Sequence, residues 1–435
     1  MAMAPTLTPS GDAGATAEGH GPDQHIDAPE LRLFVMALFF IFGGITSLND
    51  VIIPKLKELF TLNYTEAMLV QFCFFTAYAV IGLPGAALVK RVGYMRGATI
   101  GLLTMMAGCL LFIPASQSAT YPLFLAALFV LASGVVIVQV VTNPLISLLG
   151  PAKTTHSRLT FAQAFNSLGT VIFPKVGAAL ILGGLAGVTA AQLSGTALDN
   201  YRVAETQTVV KTYIGLAVAL AVVAGVVWMN RNRLKGEKHD HSSIAAGFSL
   251  LGQTRFGFGA LCIFLYVGAE VSIGSLIVNY MQLKSVLGVD QASAGSYIPY
   301  YWGGALIGRF VGSAVLRQVS PGKALAFNAI GAIVLIAISA NSGGAVAAWS
   351  LLAIGLMNSI MFPTIFSLAC EGLGDRAADG SGIINVAIFG GAVVPLMTGA
   401  LADATGRLVV SLALPALCYA VIAAFGWYAR RPVAA

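Results

Sequence analysis

Charge is what this sequence has least of. Of its 435 residues 10% are Asp, Glu, Lys or Arg and 57% are hydrophobic, with a mean hydropathy of +0.84. Soluble domains carry about 25% charged residues, which keep their surfaces wet. This chain has too little charge to cover a water-facing globule. Cysteine is scarce as well: Cys73, Cys109, Cys262, Cys370 and Cys418 all fall in apolar segments and form no metal-ligand spacing. They read as small buried hydrophobes. No G-x-x-x-x-G-K-[ST] loop occurs, which excludes a nucleotide partner and ATP-driven work within the chain. No metal or membrane-protease constellation occurs either, so neither a cofactor nor enzyme activity is expected. Residues 1–30 lack the basic and apolar regions of a signal peptide and read as a disordered tail.

What is present is a series of apolar runs. A run of roughly 20 residues crosses the ~30 Å hydrocarbon core as a helix. Twelve such spans are predicted: 32–53, 66–89, 97–115, 121–149, 159–184, 208–230, 255–282, 294–316, 322–341, 345–370, 381–402 and 408–429. The fold class is an all-α membrane protein embedded in a lipid bilayer. With the N-terminus inside, the inner loops and tails hold sixteen Lys and Arg residues and the outer loops six, so both termini are expected in the cytoplasm. The net charge of +6 follows these loops and signals no nucleic-acid partner. The longest basic linker, 231–254, separates a bundle over 31–230 from one over 255–429, and 430–435 form a short cytoplasmic tail. The largest outer loop is 185–207.

The two bundles repeat. Span 4 ends "NPLISLLG" (143–150) and span 10 ends "PTIFSLACEGLG" (363–374). Span 5 then reads "NSLGTVIFPKVG" (166–177) and span 11 "NVAIFGGAVVPLMTG" (385–399). Two parallel six-helix repeats form the architecture of major facilitator transporters, which hold substrate between the halves near the midplane.

Polar residues inside the spans are the candidate site. A charge at the centre of a membrane helix costs about 2.5–3.5 kcal/mol on insertion scales. Asp50 is the one ionisable residue between Leu33 and Ile53. It lies roughly 25 Å along span 1, in the outer half, where the cost is smaller. It is either an interfacial carboxylate or a proton-carrying group. Gly43, Ser47 and Asp50 share one helix face, a small-and-polar stripe suited to a wet cavity. Span 4 carries Gln139, Asn143 and Ser147, with Pro144 breaking the backbone ladder. Span 5 carries Gln163, Asn166 and Thr170. Amides and hydroxyls donate and accept, as a sugar hydroxyl does; the alternative is helix–helix hydrogen bonding.

In the second half Tyr266 and Glu270 lie one turn apart. Asn279 is nine residues beyond Glu270 and joins it only if span 7 unwinds, which Gly274 would allow. Tyr301, in "YIPYYWGG" (297–304), either stacks on a sugar face or belongs to the interfacial aromatic belt. Asn358 is the counterpart of Asn143. Lys175 either snorkels to the interface or pairs with an outer-half carboxylate such as Asp50. Arg309 either snorkels or pairs with an inner acid in gating, rather than touching substrate.

The stretches "SLNDVIIP" (47–54), "LVQFCFFTAY" (69–78), "TNPLISLLGP" (142–151), "RLTFAQAFNSLGT" (158–170), "YVGAEVSIGSLIVNY" (266–280), "GRFVGSAVLR" (308–317) and "FPTIFSLA" (362–369) resemble the fucose–galactose–glucose:proton symporter family of the major facilitator superfamily. The resemblance runs from about residue 34 to 406. It implies a twelve-helix transporter that moves monosaccharides inward across the inner membrane with protons. "VQVVTNP" (138–144) with "EVSIGS" (270–275) looks like the glucose/galactose branch, since fucose-type members carry a glutamate where Gln139 stands. The superfamily's loop motif, roughly G-x-x-x-D-R-x-G, reads "AALVKRVG" (86–93), with Lys90 in place of the acid. Asp50 and Glu270 are thus left as proton carriers. Asn49, Gln139, Asn143, Gln163, Asn166, Tyr266, Glu270, Asn279, Tyr301 and Asn358 are the expected sugar contacts, with Arg309 in gating. Import of fucose or another hexose such as an amino sugar, sodium coupling or passive flow, a drug exporter and a non-transporting sugar sensor are the alternatives.

Overall fold

The computed structural model describes residues 29–48, 52, 55–56, 59–62, 64–181, 193–234, 247–289 and 291–431. The tail, most of the linker, and the candidates Asn49 and Asp50 lie outside the described residues. Twelve helical rods run through the rest: α1 Pro29–Ser47, α2 Tyr64–Val92, α3 Tyr94–Ser118, α4 Tyr121–Leu148, α5 Thr155–Ile181, α6 Gly195–Met229, α7 Thr254–Met281, α8 Ile298–Val315, α9 Pro321–Asn341, α10 Gly344–Ala369, α11 Ala377–Thr405 and α12 Leu408–Tyr428. Nine of these, among the described residues, are long and apolar enough to cross a membrane by length and composition alone. No strand occurs among the described residues.

Packing repeats with a shift of six helices. α1 packs on α5 as α7 packs on α11; α2 on α4 as α8 on α10; α3 on α4 and α6 as α9 on α10 and α12. The outward faces are apolar, as lipid contact requires: Val218, Val222, Phe327 and Leu417 are all more than 60% exposed. Between helices in lipid the gain comes from close packing, so small residues sit at the seams. Gly101 of α3 and Gly134 of α4 illustrate this, since a Cβ on either would run into the backbone of the other helix.

Two departures from expectation have physical causes. Span 6 was expected from 208 and 185–207 as a loop, but α6 begins at Gly195. Its 35 residues span about 52 Å, far more than the ~30 Å core. The stretch 195–207 is polar but helical, held by Glu205 to Lys55 at 2.5 Å and by Arg202 Nε donating to the Leu59 carbonyl at 2.9 Å. Hydropathy reads membrane, not helix. Second, α7 is continuous through Gly274. That glycine serves close approach instead: a Cβ there would meet the Trp302 ring at 3.3 Å.

The halves meet chiefly along two seams, α2–α11 and α5–α8, flanked by α4–α11 and α5–α10. A six-helix shift exchanges one seam for the other. Both seams are stitched by polar contacts at the end that carries Arg91, Arg158, Arg255 and Arg430, hereafter the basic end.

Candidate functional site

α4 and α5 place the first-half amides together. Asn143 is fully buried and Gln163 nearly so, and Gln163 Nε2 donates to Asn143 Oδ1 at 3.5 Å. One turn before Asn143 stands Gln139. Gln139 Oε1 and Asn143 Nδ2 are buried polar atoms without a hydrogen-bond partner among the described residues. An unpaired buried polar group costs about 1–3 kcal/mol, so a ligand that satisfies it is favoured. Here one free acceptor and one free donor lie on adjacent turns of one helix. A hydroxyl donates and accepts and can serve both kinds of partner.

Asn166 stands apart from that pair. Its Nδ2 donates to the Phe39 carbonyl of α1 at 3.4 Å, and a Cβ on Gly43 would clash with its amide. The glycine of the small-and-polar stripe on α1 therefore faces α5 directly. Lys175 is exposed on the outside of α5.

The second half gathers a denser cluster. Tyr266 OH is 2.8 Å from Glu270 Oε1 and 3.1 Å from the Asn358 carbonyl. Tyr301 OH donates to the Glu270 carbonyl at 3.2 Å and accepts from Asn358 Nδ2 at 2.8 Å. Tyr419 OH donates to Asn358 Oδ1 at 2.8 Å. Asn358 is thus held at its amide nitrogen, amide oxygen and backbone carbonyl by three tyrosines, all buried. Tyr301 therefore belongs to the interior; its neighbours Tyr300 and Trp302 are the exposed aromatics. Glu270 is only partly buried. Asn279 lies exposed on α7, on the far side from Glu270, because the helix does not unwind.

Arg309 joins the halves. It is buried, so it does not snorkel, and the partners found for it are neutral acceptors rather than an acid. Its Nε donates to the Ser359 carbonyl at 3.2 Å, and one guanidinium nitrogen donates to the Gln163 carbonyl at 3.2 Å and to Ser167 Oγ. Nearer the basic end, Lys90 of α2 bonds both carboxylate oxygens of Asp379 on α11 at 3.1 Å, with Arg376 Nε at 3.5 Å. Ser157 Oγ donates to the Ser313 carbonyl at 2.6 Å, and His156 Nδ1 lies 2.6 Å from Ser367 Oγ.

Three of these groups were missed from sequence. Tyr419 stands alone in an apolar run, with only its distance from the span's ends as a signal. Ser167 is an ordinary helix serine. Lys90 was noticed as a departure, but its partner is 289 residues away.

Comparison with known proteins gives a consistent result. The Major Facilitator Superfamily profile matches residues 35–396. A glucose/galactose transporter of Brucella abortus biovar 1 (strain 9-941) is 49% identical over 389 residues, covering 89% of this chain and 91% of that protein. The L-fucose-proton symporter of Escherichia coli (strain K12) is 32% identical over 413 residues, covering 92% and 94%. The crystal structure of the transporter FucP in the outward conformation superposes with a TM-score of 0.84 at 31% identity, covering 92% of this chain and 99% of that one. With its two six-helix halves, polar interior and multi-pass membrane architecture, the chain belongs to the major facilitator superfamily.

Proposed function

We propose that this chain is a secondary transporter, not an enzyme, that imports a monosaccharide by proton symport and alternating access. Glucose or galactose is the substrate best supported, given 49% identity to a glucose/galactose transporter against 32% to a fucose symporter. The observation that carries the reading is the unpaired acceptor of Gln139 one turn from the unpaired donor of Asn143, with the Gln163 amide bonded to Asn143. Such a pair offers a sugar hydroxyl what it gives up on leaving water.

The basic end is taken as cytoplasmic, with both termini there and the protein in the bacterial inner membrane. Polar contacts between the halves at that end then correspond to a state closed to the cytoplasm. The likeness to FucP in its outward conformation supports the same assignment. Asp50 and Glu270 are the proposed proton carriers, with the proton rather than sodium as coupling ion. The test is counterflow: purified protein in vesicles loaded with unlabelled glucose or galactose should accumulate labelled sugar transiently from outside. Vesicles that show no such overshoot with any hexose would sink the reading.

A further inference from the structure

α10 is broken at Ser359–Ile360, between segments Gly344–Asn358 and Met361–Ala369. The cause is in the sequence. Pro363 has no N–H to offer the carbonyl four residues earlier, that of Ser359. Arg309 Nε takes that carbonyl instead. The neighbouring carbonyl, Asn358, is met by Tyr266 OH. Two side chains from other helices therefore stitch the break, and each has a second engagement. Arg309 reaches across to Gln163 and Ser167 of the first half. Tyr266 also reaches Glu270 Oε1.

A tyrosine hydroxyl has one proton. It can be given fully to Glu270 or to the Asn358 carbonyl, not to both. Building on the reading of this chain as a proton-coupled transporter, we infer that Tyr266 is a positioning residue that carries the charge state of Glu270 to the break in α10, and through Arg309 to the contact between the halves. When Glu270 is a carboxylate, the charge-assisted bond holds the tyrosine proton at Oε1. When Glu270 takes up one proton from water, its own O–H donates to the tyrosine oxygen. The tyrosine proton then turns to the Asn358 carbonyl. One proton enters, none leaves, and the donor at the break changes.

Among the described residues, the titratable and charged groups facing Glu270 are few. Its own helix supplies Tyr266; α8 supplies Tyr301 and the charge of Arg309; α12 supplies Tyr419, within electrostatic reach. α11 meets α7 with hydroxyls, Thr398 Oγ1 to Ser272 Oγ at 3.2 Å. From α10 the nearby groups are neutral: the Asn358 carbonyl at Tyr266 and the Asn358 amide at Tyr301 and Tyr419.

The experiment uses Thr160→Cys in the full chain without its five native cysteines. Thr160 is fully buried on α5 and faces Gly312 of α8, where an added Cβ would be 3.9 Å from its methyl, so labelling reports opening of that seam. A membrane-impermeant maleimide is applied at the basic end between pH 5.5 and 8.5. The thiolate is the nucleophile, so each rate is divided by that of a free cysteine peptide at the same pH; the parent ratio should shift about fivefold, or about 1 kcal/mol. Glu270→Gln and Tyr266→Phe should each remove the same part of that shift, and the double variant no more than either. Pro363→Ala, which supplies Ser359 with an N–H and leaves Tyr266 and Glu270 intact, should remove it as well and serves if Tyr266→Phe fails to fold. A shift untouched by Glu270→Gln, kept by Tyr266→Phe or by Pro363→Ala, or lost additively in the double variant overturns the relay. Adding glucose or galactose tests the transport reading separately: a parent rate that no sugar alters counts against that reading, whatever the pH series gives.

Discussion

Replacing Lys90 by Met should open the basic end. The Lys90 and Asp379 side chains are 5% and 8% exposed, so their ion pair is shielded from solvent while the seam is closed. Removing one partner of a buried pair costs about 3–5 kcal/mol, because the other is left buried and uncompensated. Here the cost is smaller. Arg376 Nε stays at 3.5 Å from Asp379, which leads us to about 2 kcal/mol, below that range. Once the halves part, water reaches Asp379 and the penalty disappears, so the whole loss falls on the closed state. At 1.4 kcal/mol per tenfold, about 2 kcal/mol shifts the closed-to-open ratio roughly thirtyfold. Maleimide labelling of Thr160→Cys from the basic end measures it. Exchanging the charges, with Lys90→Asp and Asp379→Lys together, should recover part of the closed state, since Arg376 then repels the new lysine. Labelling of the Lys90→Met variant within threefold of the parent would refute the reasoning and make the pair a bystander of the seam.

Gln139→Leu should abolish sugar binding while the protein still inserts, and Gln139→Glu should make uptake more pH-dependent, because a buried carboxylate must be neutralised or paired; equilibrium binding and uptake across pH measure both. Asp50→Asn should cut pH-driven accumulation at least about tenfold, the equivalent of roughly 1.4 kcal/mol; accumulation at the parent level would return Asp50 to the interface. Unlabelled glucose or galactose should compete at least about tenfold better than fucose, which lacks the 6-hydroxyl, since a site built for a hydroxyl is left unpaired without it; a series led by fucose would reassign the substrate. Single cysteines at Ser194 and Ser242, in a background lacking the native five, should label from opposite sides of the membrane, and labelling of Ser242→Cys from outside in intact cells would overturn the twelve-span topology.

Hydropathy made the twelve rods legible, because lipid demands apolar faces and internally satisfied backbone whatever the substrate. It was silent on 195–207, where the helix continues into water and is held by ion pairing rather than by lipid. Within the site, residues one turn apart on one helix were readable: Gln139 with Asn143, and Tyr266 with Glu270. Contacts between distant segments were not. Tyr419 reaches Asn358 across 61 positions and Lys90 reaches Asp379 across 289, and no local spacing encodes either. Asn279 was misplaced because a glycine in a membrane helix has two uses, unwinding and close packing. Only the position of Trp302 decides between them.

The chemistry of the two seams bears on how far a sugar can drive them. The α5–α8 seam holds Ser157 to the Ser313 carbonyl, and Arg309 to a carbonyl and a hydroxyl. The α2–α11 seam holds Lys90 to Asp379, with Gly82 and Gly382 letting the backbones approach. A neutral hydrogen bond contributes about 0.5–1.5 kcal/mol net, because water replaces it when the seam opens. The ion pair behaves similarly on opening, since both charges regain hydration. A handful of such contacts therefore holds the basic end shut by a few kcal/mol. Moving an equilibrium from 1:99 to 99:1 needs about 5.5 kcal/mol of differential binding. A monosaccharide that satisfies the Gln139 acceptor and the Asn143 donor in one state but not in the other can supply an appreciable part of that, and a proton on Glu270 or Asp50 can supply more. Apolar contacts cross as well, Phe161 with Phe310 and Phe72 with Phe389, and each adds to what the ligands must overcome. Polar stitching, which water replaces on opening, thus lowers what the ligands must supply.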